Sequence, residues 1–210
     1  MKINKKTLIV TTLVCLVPML AGALVYERLP ETMATHWGID GAPDGYSSRA
    51  FAVFGLPGIL AGMNLLLHFI LGADPKRQNM SGALVRISLW TPAVVALLCG
   101  GLTLAYGLGC DLRMERIAPI FVGLVFIVIG NYLPKTKQSY TLGIRVPGTL
   151  NSEENWNRTH RLAGWLFVIG GLCFIVMSFI GWSLAAFLIL IAVVGLVPMV
   201  YSYILYRKGI

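Results

Sequence analysis

Acidic residues are scarce in this chain: 9 Asp and Glu stand against 17 Lys and Arg in 210 residues, and only 12% of the sequence is charged. Histidine occurs 3 times and cysteine 4 times. No Ser/His/Asp set, no His-Glu-x-x-His and no carboxylate convincingly paired with a histidine is present, so the residues do not describe an enzyme. Cys15, Cys99 and Cys173 lie in apolar runs and Cys110 stands alone. That spacing offers neither a disulfide framework nor a metal site, and no cofactor is implied. The middles of the apolar runs hold no Asp, Glu, Lys or Arg. This argues against an ion-coupled transporter, whose coupling site sits there. No internal repeat of the kind built into transporters is visible either.

Apolar residues are what the chain has, at 57% of its length. A bilayer core of about 30 Å needs roughly 20 apolar helical residues, because lipid offers no partner for an unpaired amide. Six stretches qualify, at about 7–26, 50–72, 87–108, 117–133, 162–180 and 183–206. The expected fold is all-α: a single integral membrane domain over 1–210, a bundle of six transmembrane helices. Its first part, 1–72, carries two helices and a loop at 27–49; its second, 73–210, carries four more helices and a loop at 134–161. A cleaved leader is the alternative for the first stretch, but its apolar run is long for one and a retained helix is expected. Gly181 and Trp182 alone separate the last two stretches, which predicts a tight hairpin. Pro18, Pro57, Pro92 and Pro198 predict kinks.

Lys and Arg set the orientation. With both termini cytoplasmic, Lys2, Lys5, Lys6, Lys76, Arg77, Arg86, Lys135, Lys137, Arg145, Arg158, Arg161, Arg207 and Lys208 face inward. Only Arg28, Arg49, Arg113 and Arg116 face outward. The net charge of +8 therefore reads as topology and as affinity for anionic membrane lipids, not as direct nucleic-acid binding. Within the runs, Gly58 and Gly62 make a Gly-x-x-x-Gly that predicts helix packing. Asn64 and His68, four apart, share a helical face.

The outer loop, 27–49, is too long for a mere connection. Pro43-Asp44-Gly45 has turn chemistry, Gly38 and Gly41 flank Asp40, and a compact folded cap is expected. Two bases against four acids suit a cationic peptide ligand, with His36, Trp37, Asp40, Asp44 and Tyr46 as candidate binding residues. Trp37 and Tyr46 also fit as interfacial anchors.

The inner loop is the longest polar stretch. Gly143-Ile144-Arg145-Val146-Pro147 reads as extended, since a residue before proline avoids the helical region. A helix is expected to restart at Asn151, with Asn151 as cap and Glu154 reaching back. It places Trp156 and His160 on one face and runs straight into the fifth span. An interfacial helix alone accounts for Trp156, Arg158 and Arg161, but not for the Gly-Ile-Arg-Val-Pro run.

At these residues the chain resembles the SdpI immunity-protein family, through Gly130-Asn131-Tyr132, Gly143-Ile144-Arg145, Pro147, Thr149-Leu150, Trp156, Thr159-His160-Arg161 and Gly164. The outer loop is similar to a domain of unknown function that often precedes that family's inner-loop pattern, through Leu29-Pro30, Thr35-His36-Trp37, Gly41 and Pro43-Asp44-Gly45-Tyr46. Gly148 departs from the pattern, where relatives often carry an aromatic residue. The resemblance implies a multi-pass protein of the bacterial plasma membrane that protects against a secreted toxin peptide and holds a cytoplasmic repressor at the membrane. Arg145, Trp156, His160 and Arg161 are the candidate residues for that inner partner. A small transporter or flippase using the Asn64/His68 face is the competing expectation.

Overall fold

The computed structural model describes residues 4–76, 80, 82–181 and 183–210. Lys2, Arg77 and Trp182, named above for orientation and for the last turn, lie outside the described residues. Six helical stretches are long and apolar enough to cross a membrane: Lys5–Leu24, Phe51–Ala73, Gly82–Gly107, Met114–Lys135, Glu153–Ile180 and Leu184–Arg207. They agree in number and order with the apolar runs, and their ends differ where polar residues extend a helix beyond its apolar part. The chain divides into two compact units, Met1–Ala73 with Val85–Met114, and Asp74–Leu84 with Glu115–Ile210.

In the first unit, α1 (Lys5–Cys15) and α2 (Val17–Leu24) are one span broken at Leu16, two residues before Pro18. A proline ring cannot donate to the helical ladder, so the bend falls there. The chain then forms an antiparallel ribbon, β1 (Thr32–Trp37) paired with β2 (Pro43–Ser48). A π-turn, Phe51–Gly55, leads into α3 (Leu56–Ala73), and α4 spans Gly82–Gly107. Leu29 and Met33 bury against Ala52, Val53 and Leu104, which seats the ribbon on the helix ends. A second apolar cluster joins Cys15, Ala61, Ala93 and Ala96. Asn64, fully buried, donates to the hydroxyls of Thr11 and Thr12 at 3.0 and 2.9 Å. His68 Nδ1 bonds the carbonyl of Asn64 at 2.8 Å. The shared polar face read from the sequence thus joins α1 to α3. Gly62 has nothing near it, and Gly58 meets only the tip of Met19, so the Gly-x-x-x-Gly makes no close helix crossing among the described residues.

In the second unit the close crossing uses other glycines. A Cβ on Gly123 of α5 (Met114–Tyr132) would lie 2.5 Å from the carbonyl of Gly171 in α7 (Glu153–Ile180), and one on Gly130 would lie 2.7 Å from that of Gly164. The pairs are seven residues apart on each antiparallel helix, which keeps them on one seam. With no side chains between them the backbones touch directly. Phe126 packs against Phe167 and Phe174 along the same seam. α8 (Leu184–Arg207) returns after Gly181, whose φ of +85° ends α7, and Ser183 caps its first turn.

Candidate functional site

Two polar constructions stand out from the apolar helices, one in each unit. The larger is the segment between α5 and α7. After a 3-10 turn, Leu133–Lys135, the chain runs without regular structure, bending at 140–143, to a short helix α6 (Pro147–Asn151), and α7 begins at Glu153. The cap of α7 is Ser152, whose hydroxyl accepts from the amide of Asn155, and Asn151 closes α6 instead. Pro147 explains the shift: its fixed φ suits the first turn of a helix, so a short helix starts there and uses up Asn151. Glu154 does not reach back to the cap; it pairs with Arg158 one turn on, at 2.5 Å.

Trp156 and His160 are fully buried. Their rings stack with centroids 3.9 Å apart, as their spacing on one helical face predicts. The indole N–H of Trp156 donates to the carbonyl of Thr136 at 2.8 Å. The amide of Ile144 donates to His160 Nε2 at 2.9 Å, and His160 Nδ1 bonds the carbonyl of Trp156 at 2.8 Å. Nε2 therefore accepts and Nδ1 carries the proton, which assigns a neutral ring. Two side chains from α7 thus hold this segment at both ends. Gly143 sits against the stack with φ +110°, and a Cβ there would lie 2.5 Å from His160 Nε2. Both its backbone conformation and its space require glycine.

Residues without a motif do as much of the holding. Thr149, fully buried, accepts from the amide of Val146 and lies 2.8 and 3.0 Å from the carbonyls of Ile144 and Val146. Gln138 donates to the carbonyls of Thr149 and Leu150, while its carbonyl accepts from Lys76 at 2.7 Å. Asn155 uses its whole amide: it donates to the carbonyls of Ser202 and Ile210 and accepts from the hydroxyls of Ser202 and Thr159. Asp74, 4% exposed, accepts from the hydroxyl of Thr141 at 2.6 Å and from the amide of Lys76. A Cβ on Gly148 would lie 2.7 Å from Ser202 Oγ and 2.9 Å from Asn155 Nδ2, so this loop has no room for a larger side chain there. Gln138, Asn155, Ser202 and Asp74 carry no signal in the sequence, because a polar side chain has no periodicity that reveals its partner. Arg145 and Arg161 are exposed; Arg145 reaches back to the carbonyl of Tyr140 at 2.6 Å.

The smaller construction is the ribbon. Alternation along β2 exposes Asp44, Tyr46 and Ser48 on one face. His36 Nδ1 meets Asp44 Oδ1 at 2.5 Å across the strands. Asp40 caps the turn by accepting from the amide of Ala42 at 3.0 Å, and Gly41 takes φ +79° beside it. Trp37 turns inward, edge-on to Tyr106, with its indole N–H buried and unpartnered among the described residues. Arg49 is tied inward as well, donating to the carbonyls of Tyr26 and Leu29 and lying over the Tyr26 ring. The ribbon therefore brings His36, Asp44 and Tyr46 together at its surface, keeps Asp40 at its tip and buries the working part of Trp37.

Six helices long and apolar enough to cross a membrane make this an all-α, multi-pass membrane protein, and its similarity to a bacterial protein places it in the bacterial plasma membrane. The match to known sequences is more particular. Residues 135–202 match the SdpI/YfhL protein family, and residues 13–61 match a domain of unknown function, DUF1648. The chain is 25% identical to the immunity protein SdpI of Bacillus subtilis (strain 168) over 206 residues, covering 97% of each. No solved structure matches.

Proposed function

We propose that this protein confers resistance to a secreted toxin peptide and recruits a cytoplasmic repressor to the membrane. The observation that carries the proposal is the identity with an immunity protein over 97% of both chains. With both termini in the cytoplasm, the ribbon faces outward and the polar loop inward, as the Lys and Arg distribution favours. The ribbon presents His36, Asp44 and Tyr46 on a rigid frame. With Arg49 drawn inward, the loop's four acids outweigh the one remaining base, Arg28, and favour a cationic peptide. Asp40 shapes the tip, and Trp37 anchors the ribbon from below.

On the inner side Arg145 and Arg161 are available to an incoming protein, and buried Trp156 and His160 act as positioning residues that fix the loop's shape. Asp74 adds a further tie to the loop through its bond to Thr141.

The test is survival of a toxin-sensitive bacterium expressing the chain and challenged with peptides of the toxin class, with membrane recruitment of the repressor scored in parallel. Asp44→Asn with Tyr46→Ala is expected to lower resistance at unchanged protein level, and Arg145→Ala to lower recruitment at unchanged resistance. Survival no better than with empty vector for every peptide overturns the immunity role. Intact recruitment in both Arg145→Ala and His160→Ala overturns the inner-loop assignment.

A further inference from the structure

We propose that the face of α7 flanked by α5 on one side and α8 on the other is a binding site for an anionic glycerophospholipid, with its phosphate held by Lys135 and Arg161 and its two acyl chains divided by Trp165. The site lies outside the buried hydrogen-bond frame of the polar loop and does not depend on the immunity role. It shares Arg161 with the surface proposed above for an inner partner, so lipid and partner compete for that side chain.

Two neighbouring grooves, of about 480 and 400 Å³, share Arg161 and Trp165 as the ridge between them. The first is floored by Gly130, Gly164 and the ring of Pro134, where the two backbones come into contact. Its polar rim is Asn131, Lys135, Asn157 and Arg161, and Val168 lines its apolar end. Along α7, Asn157, Arg161, Trp165 and Val168 follow one face at spacings of four, four and three. Over about 16 Å of helix that face changes from amide to cation to aromatic to aliphatic. The gradient matches a phospholipid read from headgroup to chain, and its cationic step falls where the apolar run begins, at residue 162.

The charges are free to act. Arg158 is paired with Glu154, whereas Arg161 has no hydrogen bond or ion pair among the described residues. Lys135 rests over the Tyr132 ring with its ammonium at the groove. Trp165 is 65% exposed, a large indole on a membrane-spanning helix. Two unneutralised cations above a pair of grooves, with Val168 and Leu162 on the two sides of Trp165, complement one phosphate above two chains. Basic pockets between spans at the cytoplasmic face take such lipids.

The test uses the full-length protein in phosphatidylcholine vesicles containing a minor fraction of lipid brominated on its acyl chains, either phosphatidylglycerol or phosphatidylcholine. Indole fluorescence is read, and Trp165→Phe isolates the contribution of Trp165 from the other tryptophans. The brominated anionic lipid is expected to quench Trp165 with roughly tenfold higher affinity than the zwitterionic one, from two cations near the surface. Lys135→Gln with Arg161→Gln should abolish that preference, while Lys5→Gln with Lys6→Gln keeps it; both pairs are exposed, so folding is retained. Equal quenching by the two lipids overturns the site. Loss of preference in the Lys5/Lys6 pair overturns it in favour of diffuse charge. Displacement of the lipid by millimolar inorganic phosphate overturns the lipid as the occupant.

Discussion

At the scale of single residues, the polar loop depends on side chains whose loss leaves a buried partner unmatched. Replacing His160 by Phe keeps the stack on Trp156 but strands the amide of Ile144. A cost of about 1–3 kcal/mol follows, seen as a lower melting temperature of the solubilised protein. Gly143→Ala adds a Cβ into His160 and forces an unfavourable φ, so it is expected to destabilise by a similar amount, about 1–3 kcal/mol. Gly148 and Ser202 form a coupled pair. Gly148→Ala should be damaging alone and partly rescued by Ser202→Ala, with a coupling of about 0.5–3 kcal/mol in a double-mutant cycle. A strictly additive result would show that the Cβ is accommodated elsewhere. Trp156 and His160 were legible in the sequence as a pair one turn apart. Their partners Thr136 and Ile144 were not, because those bonds use backbone groups that every residue possesses.

At the scale of elements, the contrast between glycines is the sharper lesson. Gly58 and Gly62 carry the familiar spacing, yet nothing crosses closely at Gly62 among the described residues; the pairs Gly123/Gly171 and Gly130/Gly164, which lack that spacing, bring two backbones together. A spacing on one helix says which residues share a face, and only the neighbour decides whether that face is used. Gly171→Leu is therefore expected to collapse the yield of folded protein, whereas Gly62→Leu leaves it within about twofold, read by size-exclusion recovery in detergent. The ribbon was legible as a folded cap from its turn residues, but its strands were not, since 32–37 and 43–48 hold few of the β-branched residues that mark strands. Met33, almost fully buried beneath it, ties the ribbon to α4; Met33→Ala should cost about 2–5 kcal/mol and loosen the ribbon, read as faster amide exchange over 32–48.

At the scale of the whole molecule, orientation is the property on which the proposed roles of ribbon and loop rest. Tyr46→Cys should react with a membrane-impermeant thiol reagent on intact cells, and Arg145→Cys only after the membrane is opened. The reverse pattern would invert every assignment of inside and outside. Cys99 and Cys110 are exposed along the chain and must be replaced first.

The sequence alone determined that the chain crosses a membrane six times, because lipid admits backbone only as satisfied helix and apolar length is a local property. It also located the ribbon and the polar loop, since surplus polarity cannot hide in an apolar run. Tertiary structure alone decided that Trp156 and His160 are internal braces and Arg145 and Arg161 surface groups. It likewise decided that Asn155, Gln138 and Asp74 fasten the loop and that two pairs of glycines make the helix seam. Burial and hydrogen bonding are relations between distant segments, and no single stretch of chain contains both partners.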